Sequence, residues 1–429
     1  MRILITDELS LSTILTPAHR SFLYAFSFMP TVITARQLAA VTPPQHQVTI
    51  LEGNRTLDPT ARYDAVHINF KTALATRAYQ TADHLRAQGT TVILSGYHPS
   101  ALPQEAAQHA DSVIIGDATT LWPRVITDLE DHTLKPTYTT HNDEPLLLPS
   151  TSSVKLHGVQ LTNSIEATRG CPHRCEFCQD SNIREGAIFR ARPIDNVIDE
   201  ITTLPQKIFF FTDFSLTIDL AYTKDLFRRL RHTHKRFICG GNIDVLGTDD
   251  ELLRLASQAG CIEWISGLET FTQEALDHAN KHTNLVDDYA TAVRNIHRHH
   301  MAIFGTFILG FDEDTPEVFT AMHTHIRDLG LDAVNFALLT PYPGTPLFNR
   351  LEHEGRIITK DWAQYDRNHV VFTPRHMTPQ ELDTGFRRLT QDYSRFPSMG
   401  YRTLRSLRLG PYPFLATAAG NLGQYLKTS

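Results

Sequence analysis

The chain has 429 residues, 41% hydrophobic and 20% charged, which is typical of a globular protein with a full core and room for two or three domains. Its 40 Lys and Arg against 47 Asp and Glu give a net charge of −7, and without a basic block a nucleic-acid partner is not expected. Five cysteines are too few for a secreted disulfide framework. We therefore expect a cytoplasmic protein without a signal peptide or transmembrane segment.

Residues 1–135 alternate short apolar runs with amphipathic stretches. The runs are rich in β-branched residues and predict buried strands, and the stretches between them predict helices. This alternation favours an α/β fold with an open, doubly wound parallel sheet, a Rossmann-like domain. The predicted strands are RILITD (2–7), QVTILEG (47–53), DAVHINF (64–70), TTVILSG (90–96) and DSVIIGD (111–117).

Residues 136–160 are rich in Thr, Ser and Pro and predict a linker. Strand–helix alternation resumes over residues 161–355, where six units predict a partial TIM-type (β/α)6 barrel with its chemistry at the carboxyl ends of the strands. The six predicted strands are SIEATR (164–169), KIFFFTD (207–213), RFICGGN (236–242), IEWISGLE (262–269), MAIFGTFILG (301–310) and LDAVNFALLT (331–340).

Residues 356–429 predict a small, mostly helical region, which includes a capping box from Thr378 to Glu381. The last thirty residues are basic and contain several aromatic side chains. They are interpreted as a C-terminal element docked on the barrel, with a helix that leans on a membrane or an apolar substrate as the alternative. The sequence does not predict an oligomeric state.

The segment TRGCPHRCEFCQD (168–180) contains Cys171, Cys175 and Cys178. Closely spaced thiolates suit a soft metal, which in a reducing compartment means zinc or an iron–sulfur cluster. Structural zinc usually takes two separated pairs of ligands; no second cysteine pair exists, and His173 would complete a set only within a cramped loop. Three cysteines on a four-iron cluster leave one iron open to a substrate or cofactor.

This CxxxCxxC spacing after a strand, with Phe177 before the last cysteine, resembles the radical S-adenosylmethionine (SAM) superfamily. In that family the open iron binds the amino and carboxylate groups of SAM, and reductive cleavage gives methionine and a 5′-deoxyadenosyl radical. The resemblance implies that the three cysteines bind a [4Fe-4S] cluster, that Phe177 lies at the cofactor site, and that an external flavodoxin or ferredoxin supplies the electron.

The ends of the later strands resemble, in chain order, the SAM-binding segments of this family. The second departs from the common Gly-Gly-Glu pattern, and in the fifth Thr306 replaces a first glycine. Five such segments in the right order favour the family over coincidence. The implied SAM contacts are Thr212 and Asp213 near the methionine moiety, Asn242 and Asp244 at the third strand, Glu269 at the ribose, and Ile308, Gly310 and Glu313 at the fifth strand.

Residues 76–131 resemble the cobalamin-binding-type domain that precedes the barrel in one subclass, so the resemblance covers nearly the whole chain. The axial-ligand signature Asp-x-His-x-x-Gly is absent, because Asp64 and His67 are one residue too far apart and lie within a strand. Cobalamin binding is implied, with a vestigial domain that bounds the substrate pocket as the alternative. The implied cobalamin-side residues are Thr72, Ser95 (in place of a first glycine), Gly96, Tyr97, His98 and Gly116.

The leading hypothesis is a radical SAM enzyme that abstracts hydrogen from an unactivated C–H bond and transfers a methyl group from cobalamin, in the biosynthesis of a lipid, pigment or natural product. The runner-up is a cobalamin-independent dehydratase, deoxygenase or cyclase acting on a natural product such as an aminoglycoside. A third hypothesis, a non-enzymatic iron–sulfur or zinc protein, would not need the SAM-binding strand ends. The substrate is expected to be a small molecule or a lipid, and no acid or base residue is designated.

Overall fold

The computed structural model describes residues 1–7, 33–51, 61–141, 148–151, 154 and 162–428. The N-terminal part forms parallel strands separated by helices, as the alternation predicted. Its strands are β1 (Arg2–Asp7), β2 (Gln47–Leu51), β3 (Ala65–Asn69), β4 (Thr91–Ser95), β5 (Ser112–Ile115) and β6 (Thr137–Thr139). Its described helices are α1 (Ile33–Val41), α2 (Ala75–Ala87), α3 (Tyr97–Ala101), α4 (Pro103–Ala106) and α5 (Ala118–Glu130).

These strands form one sheet in the order β2-β1-β3-β4-β5-β6, with every pair parallel. Alternate residues of β3 face opposite sides: Val66 and Ile68 pack towards α2, whereas His67 lies against Trp122 of α5 with ring centroids 5.0 Å apart. Apolar cores on both faces confirm the predicted doubly wound fold. The strand order reverses between β1 and β3, and sheets of this kind bind ligands at that point.

The edge of this sheet reaches further along the chain than the sequence indicated. Strand β6 begins at Thr137, within the stretch 136–160 predicted as a linker, and pairs with β5. Three residues, TYT, carry too little apolar periodicity to be recognised as a strand. Residues 142–147, 152–153 and 155–160 of that stretch, and the end of the predicted strand 47–53, lie outside the described residues.

The second part of the chain forms the predicted (β/α)6 unit. Its strands are β7 (Thr162–Ile165), β8 (Thr168–Arg169), β9 (Arg190–Ala191), β10 (Ile208–Phe211), β11 (Arg236–Gly240), β12 (Cys261–Glu269), β13 (Ala302–Leu309) and β14 (Ala333–Leu338). Its helices are α6 (Gln179–Asn182), α7 (Ile194–Thr203), α8 (Leu220–Leu230), α9 (Ile243–Thr248), α10 (Asp250–Ala259), α11 (Gln273–His278), α12 (Tyr289–Arg298), α13 (Val318–Leu329) and α14 (Pro346–His353).

Six of these strands form a parallel sheet in sequential order, β7-β10-β11-β12-β13-β14, and β8 and β9 make a separate antiparallel hairpin. Side chains that alternate along the strands divide the interior in two. Phe209 and Phe237 pack outward under the helices, whereas Phe210 and Ile238 face the inner side of the partial barrel.

The C-terminal region is helical, as predicted, and fills part of that inner side. Ala416 packs with Phe210 and Ile238, and the ring of Tyr412 lies beneath the Arg236 guanidinium at 5.0 Å. The last helix therefore packs on the barrel, as interpreted from the sequence. The helices are α15 (Pro379–Ser394), which begins with the predicted capping box, α16 (Phe396–Ser406) and α17 (Pro411–Thr428). None of the described helices has the length and apolar character needed to span a bilayer.

Candidate functional site

The cysteine loop (residues 170–178) leaves the sheet region between β8 and β9. Gly170 has φ of +92°, and a Cβ atom there would lie 2.1 Å from the carbonyl oxygen of Ile188. Only glycine allows the backbone to turn at this point with so close a neighbour. The next amide, that of Cys171, donates to the carbonyl of Gly186 at 2.8 Å. The first cysteine is therefore held by backbone contacts on both sides.

Two asparagines fix the rest of the loop. Asn182 Nδ2 donates to the carbonyls of Cys175 (2.8 Å) and Cys178 (2.7 Å). Asn280, which follows α11, donates from Nδ2 to the carbonyls of His173 (3.2 Å) and Arg174 (3.1 Å). The two side chains thus add hydrogen bonds to loop carbonyls, and that of Cys175 also accepts from the Cys178 amide at 3.0 Å. Neither residue was predicted from the sequence.

The three thiols of the loop fit an iron–sulfur cluster by their chemistry. All are free; Cys175 is buried, and Cys171 and Cys178 are half-buried. Burial raises the pKa of each thiol, that of Cys178 to about 12, so binding iron requires the loss of three protons. Within the described residues no group of three Cys, His, Asp or Glu is placed to hold a single metal ion. A cluster makes a different demand, because each cysteine binds a different iron.

A buried ion pair lies beside the thiols. Lys281 Nζ is 3.5 Å from Glu269 Oε1, and both side chains are largely buried. Burial alone would lower the pKa of Lys281, but Glu269 and the nearby cysteine sulfurs raise it. Burial also raises the pKa of Glu269, and Lys281 partly offsets that effect. Glu269 has φ of +63° at an irregularity in the β12–β13 pairing, and strained backbone of this kind is concentrated at functional sites.

Thr212 and Asp213, predicted near the methionine moiety, bond to neighbouring backbone. Thr212 Oγ1 donates to the Ile165 carbonyl at 3.2 Å. The Asp213 carboxylate accepts from the amide of Ala167 (3.2 Å) and from Thr168 Oγ1 (2.6 Å). Burial raises the pKa of Asp213 to about 7. Both residues thus secure the strand that leads into the cysteine loop.

Asn242 and Asp244, predicted at the third strand, lie on the other side of the loop. Asn242 Nδ2 is 3.1 Å from His173 Nε2, so the His173 ring is hydrogen-bonded to the end of the third strand. Asp244, in the first turn of α9, accepts from the Val245 amide at 2.8 Å. The third-strand end therefore contacts the loop directly through Asn242.

At the fifth strand, Ile308 is half-buried against the main core and Gly310 follows the strand with φ of +105°. The Gly310 amide donates to Asp314 Oδ2 at 2.7 Å, so Asp314 shapes this turn. Glu313, predicted on the SAM side, pairs instead with the exposed His278. Phe177 of the cysteine loop packs edge-on against Phe311, with ring centroids 6.0 Å apart.

The N-terminal domain meets the cysteine loop through two predicted cobalamin-side residues. Thr72 Oγ1 accepts from Gln179 Nε2 at 3.4 Å. Burial, together with the nearby Asp180 carboxylate, raises the pKa of the Tyr97 hydroxyl. The carboxyl edge of the first sheet thus faces the end of the loop at α6.

The other four implied cobalamin-side residues bond to neighbours within their own domain, and His98 also contacts Trp362 of the C-terminal region. Ser95 Oγ bonds to His67 Nε2 at 2.8 Å, and a Cβ on Gly96 would meet the carbonyl oxygen of Phe70 at 2.4 Å. The buried ring of His98 bonds to Glu105, which also accepts from Trp362, and Gly116 donates its amide to Ser100 Oγ. Burial lowers the pKa of His67 to about 3, so this strand histidine is neutral.

Arg169 joins the two domains next to the loop. Its Nε donates to Glu166 Oε1 at 2.7 Å and its Nη2 to Gln37 Oε1 at 2.9 Å, and Nη1 bonds to Asp117. Gln37 and Asp117 belong to the N-terminal domain. Burial alone would lower the pKa of Arg169, but the two carboxylates raise it and keep the side chain charged. No spacing in the sequence signals a contact over so long a separation.

Comparisons with known proteins agree with this architecture. Residues 165–326 match the Radical SAM superfamily. The chain is 32% identical to bacteriochlorophyllide d C-12(1)-methyltransferase of Chlorobaculum tepidum, over 77% of this chain and 74% of that protein. It is 29% identical to the C-8(2)-methyltransferase of the same organism, over 80% of each.

Two solved structures share the fold across both domains. The methyltransferase TsrM of Kitasatospora setae, solved with cobalamin and a [4Fe-4S] cluster, superposes with a TM-score of 0.65 at 15% identity, over 82% of this chain and 78% of that one. The cobalamin-dependent radical enzyme OxsB, solved with aqua-cobalamin and SAM, gives 0.66 at 12% identity, over 95% and 68%.

A three-cysteine loop at the first strand of a partial barrel, with this sequence similarity, places the chain in the radical SAM superfamily. Use of SAM and a [4Fe-4S] cluster is confirmed at the level of the family. Within it, the chain has the two-domain fold of the subclass in which a cobalamin-binding-type domain precedes the barrel.

Proposed function

We propose that this protein is a cobalamin-dependent radical SAM methyltransferase that methylates an unactivated carbon of a bacteriochlorophyllide-type tetrapyrrole. The observation that carries the proposal is the similarity, over about three quarters of both chains, to a bacteriochlorophyllide d methyltransferase. A second relative with the same substrate class but another ring position supports the class and leaves the position open.

Cys171, Cys175 and Cys178 are the proposed cluster ligands. Their support is the backbone clamp from Asn182 and Asn280 and the buried cation Lys281. An ammonium group near the sulfurs offsets the negative charge that three thiolates bring into a buried site. When bound, the cluster and SAM supply the radical, and cobalamin supplies the methyl group.

SAM is proposed to lie between the loop and the strand ends of the barrel. Asn242, which contacts His173, and Glu269, which pairs with Lys281, are the best supported contacts. Asp244, Ile308 and Gly310 remain proposed contacts from their strand ends. Thr212 and Asp213 are supported less, since their side chains bond to neighbouring backbone, and Glu313 is supported less because its partner, His278, is exposed.

Cobalamin is proposed at the carboxyl edge of the first sheet, where Thr72 and Tyr97 face α6. Gly96 and Gly116 have positive φ and place no side chain at this edge, and Ser95 and His98 bond to His67 and Glu105 of the same domain. His67 is buried inside β3 on the α5 side, so it is not offered as an axial ligand. The reaction also needs an external one-electron donor, for which we propose a flavodoxin or ferredoxin.

The test is anaerobic turnover of the reconstituted enzyme with cobalamin, reductant, a bacteriochlorophyllide d precursor and SAM carrying a deuterated methyl group. We expect a labelled methyl group in the pigment, with S-adenosylhomocysteine and 5′-deoxyadenosine in equal amounts. Cys175→Ala should abolish both products, and Cys239→Ala should not. Formation of 5′-deoxyadenosine without labelled pigment or S-adenosylhomocysteine would overturn methyl transfer and favour a cobalamin-independent reaction.

A further inference from the structure

The C-terminal helices carry an unusual concentration of exposed apolar side chains. Ten large apolar side chains are exposed in the described part of the chain, and seven of them lie between residues 396 and 425. Scattered exposed apolar residues are normal, but a cluster on one face marks an interaction site. We define the apolar face by Phe396, Tyr401, Leu404 and Leu407 of α16 and the turn after it, and Leu415 and Leu422 of α17.

The face lies opposite the residues that attach the two helices to the barrel. On α16, Arg402 and Ser406 are buried, and Phe396 and Leu404 are 76% and 66% exposed. On α17, Thr417 and Asn421 are buried beneath the exposed leucines. Helix α17 therefore presents apolar residues to solvent on the side away from the barrel, although a solvent-facing helix surface normally carries charges.

The charge beside this face is mainly positive. Residues 392–429 contain five Arg and Lys and one acidic residue, Asp392, in a chain with net charge −7. Arg408 is exposed next to Leu407, and Arg395 stands at the start of α16, where it pairs with Asp392 at 3.1 Å. Apolar side chains flanked by cations are the pattern of segments that lie in the interface of an anionic bilayer.

The position of the face separates it from the reaction site. Arg405 Nη2 donates to the carbonyl of Leu331, just before β14, and Arg408 contacts His297 at 3.2 Å, just before β13. These points lie at the amino ends of the barrel strands, whereas the cysteine loop lies at the opposite end. The apolar face is thus not the entrance to the cysteine loop.

We propose that the apolar face docks this enzyme on an anionic lipid bilayer, with the cysteine loop directed away from it. A second copy of the chain is a poorer occupant, because a two-fold interface would bring together two patches that each carry more cations than the single carboxylate of Asp392. This docking would keep a tetrapyrrole enzyme at the surface where apolar substrates partition.

The experiment is flotation of the full-length holoenzyme with vesicles of phosphatidylglycerol and phosphatidylcholine. We expect the wild-type protein to float with the mixed vesicles and to bind pure phosphatidylcholine several-fold less. Leu404→Glu with Leu407→Glu should lower the floated fraction about tenfold. Leu285→Glu is the matched control, since Leu285 is 52% exposed outside the face, and it should float as the wild type does.

Circular dichroism and iron content of each variant report whether the fold and the cluster are intact. If the double variant does not fold, Phe396→Ser at the most exposed position should still lower flotation. Wild-type protein that stays free of anionic vesicles, or a double variant that floats like Leu285→Glu, overturns the proposal. A dimer that the double variant converts to monomer, without flotation of the wild type, also overturns it and assigns the face to a second copy.

Discussion

Replacing Gly170 by Ala should prevent the cysteine loop from holding its cluster. The residue has φ of +92°, which costs a non-glycine residue about 1–2 kcal/mol. Its new Cβ would also lie 2.1 Å from the Ile188 carbonyl oxygen, against the 3.0 Å that real Cβ atoms keep. The backbone must therefore separate by about 0.9 Å, directly beside Cys171. Such overpacking adds about 1–3 kcal/mol.

Gly89 offers a matched control. It ends α2 with φ of +82°, but a Cβ there meets no atom within 4 Å. Gly89→Ala should therefore cost only the conformational strain of about 1–2 kcal/mol. Gly170→Ala should cost about 2–5 kcal/mol in total, with the displacement concentrated at the hydrogen bond from Cys171 to Gly186.

The assay is iron and sulfide per chain after anaerobic reconstitution, with urea unfolding of the same samples. We expect Gly89→Ala to bind a full cluster and Gly170→Ala to bind several-fold less. If Gly170→Ala binds the same amount of iron and sulfide as Gly89→Ala, the tight turn at Gly170 is not needed to position Cys171 for cluster binding.

Substitutions at four further positions test other parts of the site and core. Cys178→Ala should abolish SAM cleavage and the cluster absorbance, whereas Cys239→Ser, in the buried core, should keep both. A nearby positive charge stabilises the reduced cluster, so Lys281→Met should make the cluster harder to reduce and its midpoint potential more negative. Lys281→Arg keeps the charge and should have a midpoint potential close to that of the wild type. Burial raises the pKa of Glu263 from 4.5 to about 8; the folded state then holds this proton more tightly, so stability falls as pH rises between these values. Glu263→Gln should reduce that slope by up to about 1.4 kcal/mol per pH unit in urea unfolding, and an unchanged slope would contradict the assignment.

The strands of both sheets could be predicted because buried parallel strands are short, continuous apolar runs between polar or glycine-rich turns. Strand β6 was not predicted, because its three residues contain no such apolar run. The cysteine loop was also readable, because its ligands are close in sequence. Asn280 and Lys281 were not, since they reach the loop from about a hundred residues away. Hydrogen bonds of that span leave no periodic or spacing signal.

The same limit explains the uneven support for the predicted cofactor residues. A sequence pattern indicates which polar residues lie at the end of a strand. It does not indicate whether their oxygens already accept hydrogen bonds from neighbouring groups. Asp213 lies just after β10, yet its carboxylate bonds to Ala167 and Thr168. Glu269 ends β12, and its partner is another side chain, the largely buried Lys281, rather than backbone.

Three consecutive residues link the N-terminal domain to the proposed cluster site. Arg169 binds Gln37 and Asp117 of the N-terminal domain, Gly170 makes the tight turn, and Cys171 is the first proposed ligand. If the N-terminal domain moved Arg169, the backbone at Gly170 would have to move as well. The Ile188 carbonyl lies too close to Gly170 to allow that movement. Groups bound on the two domains are therefore held at a defined separation, which a methyl transfer from one domain to a radical formed on the other requires.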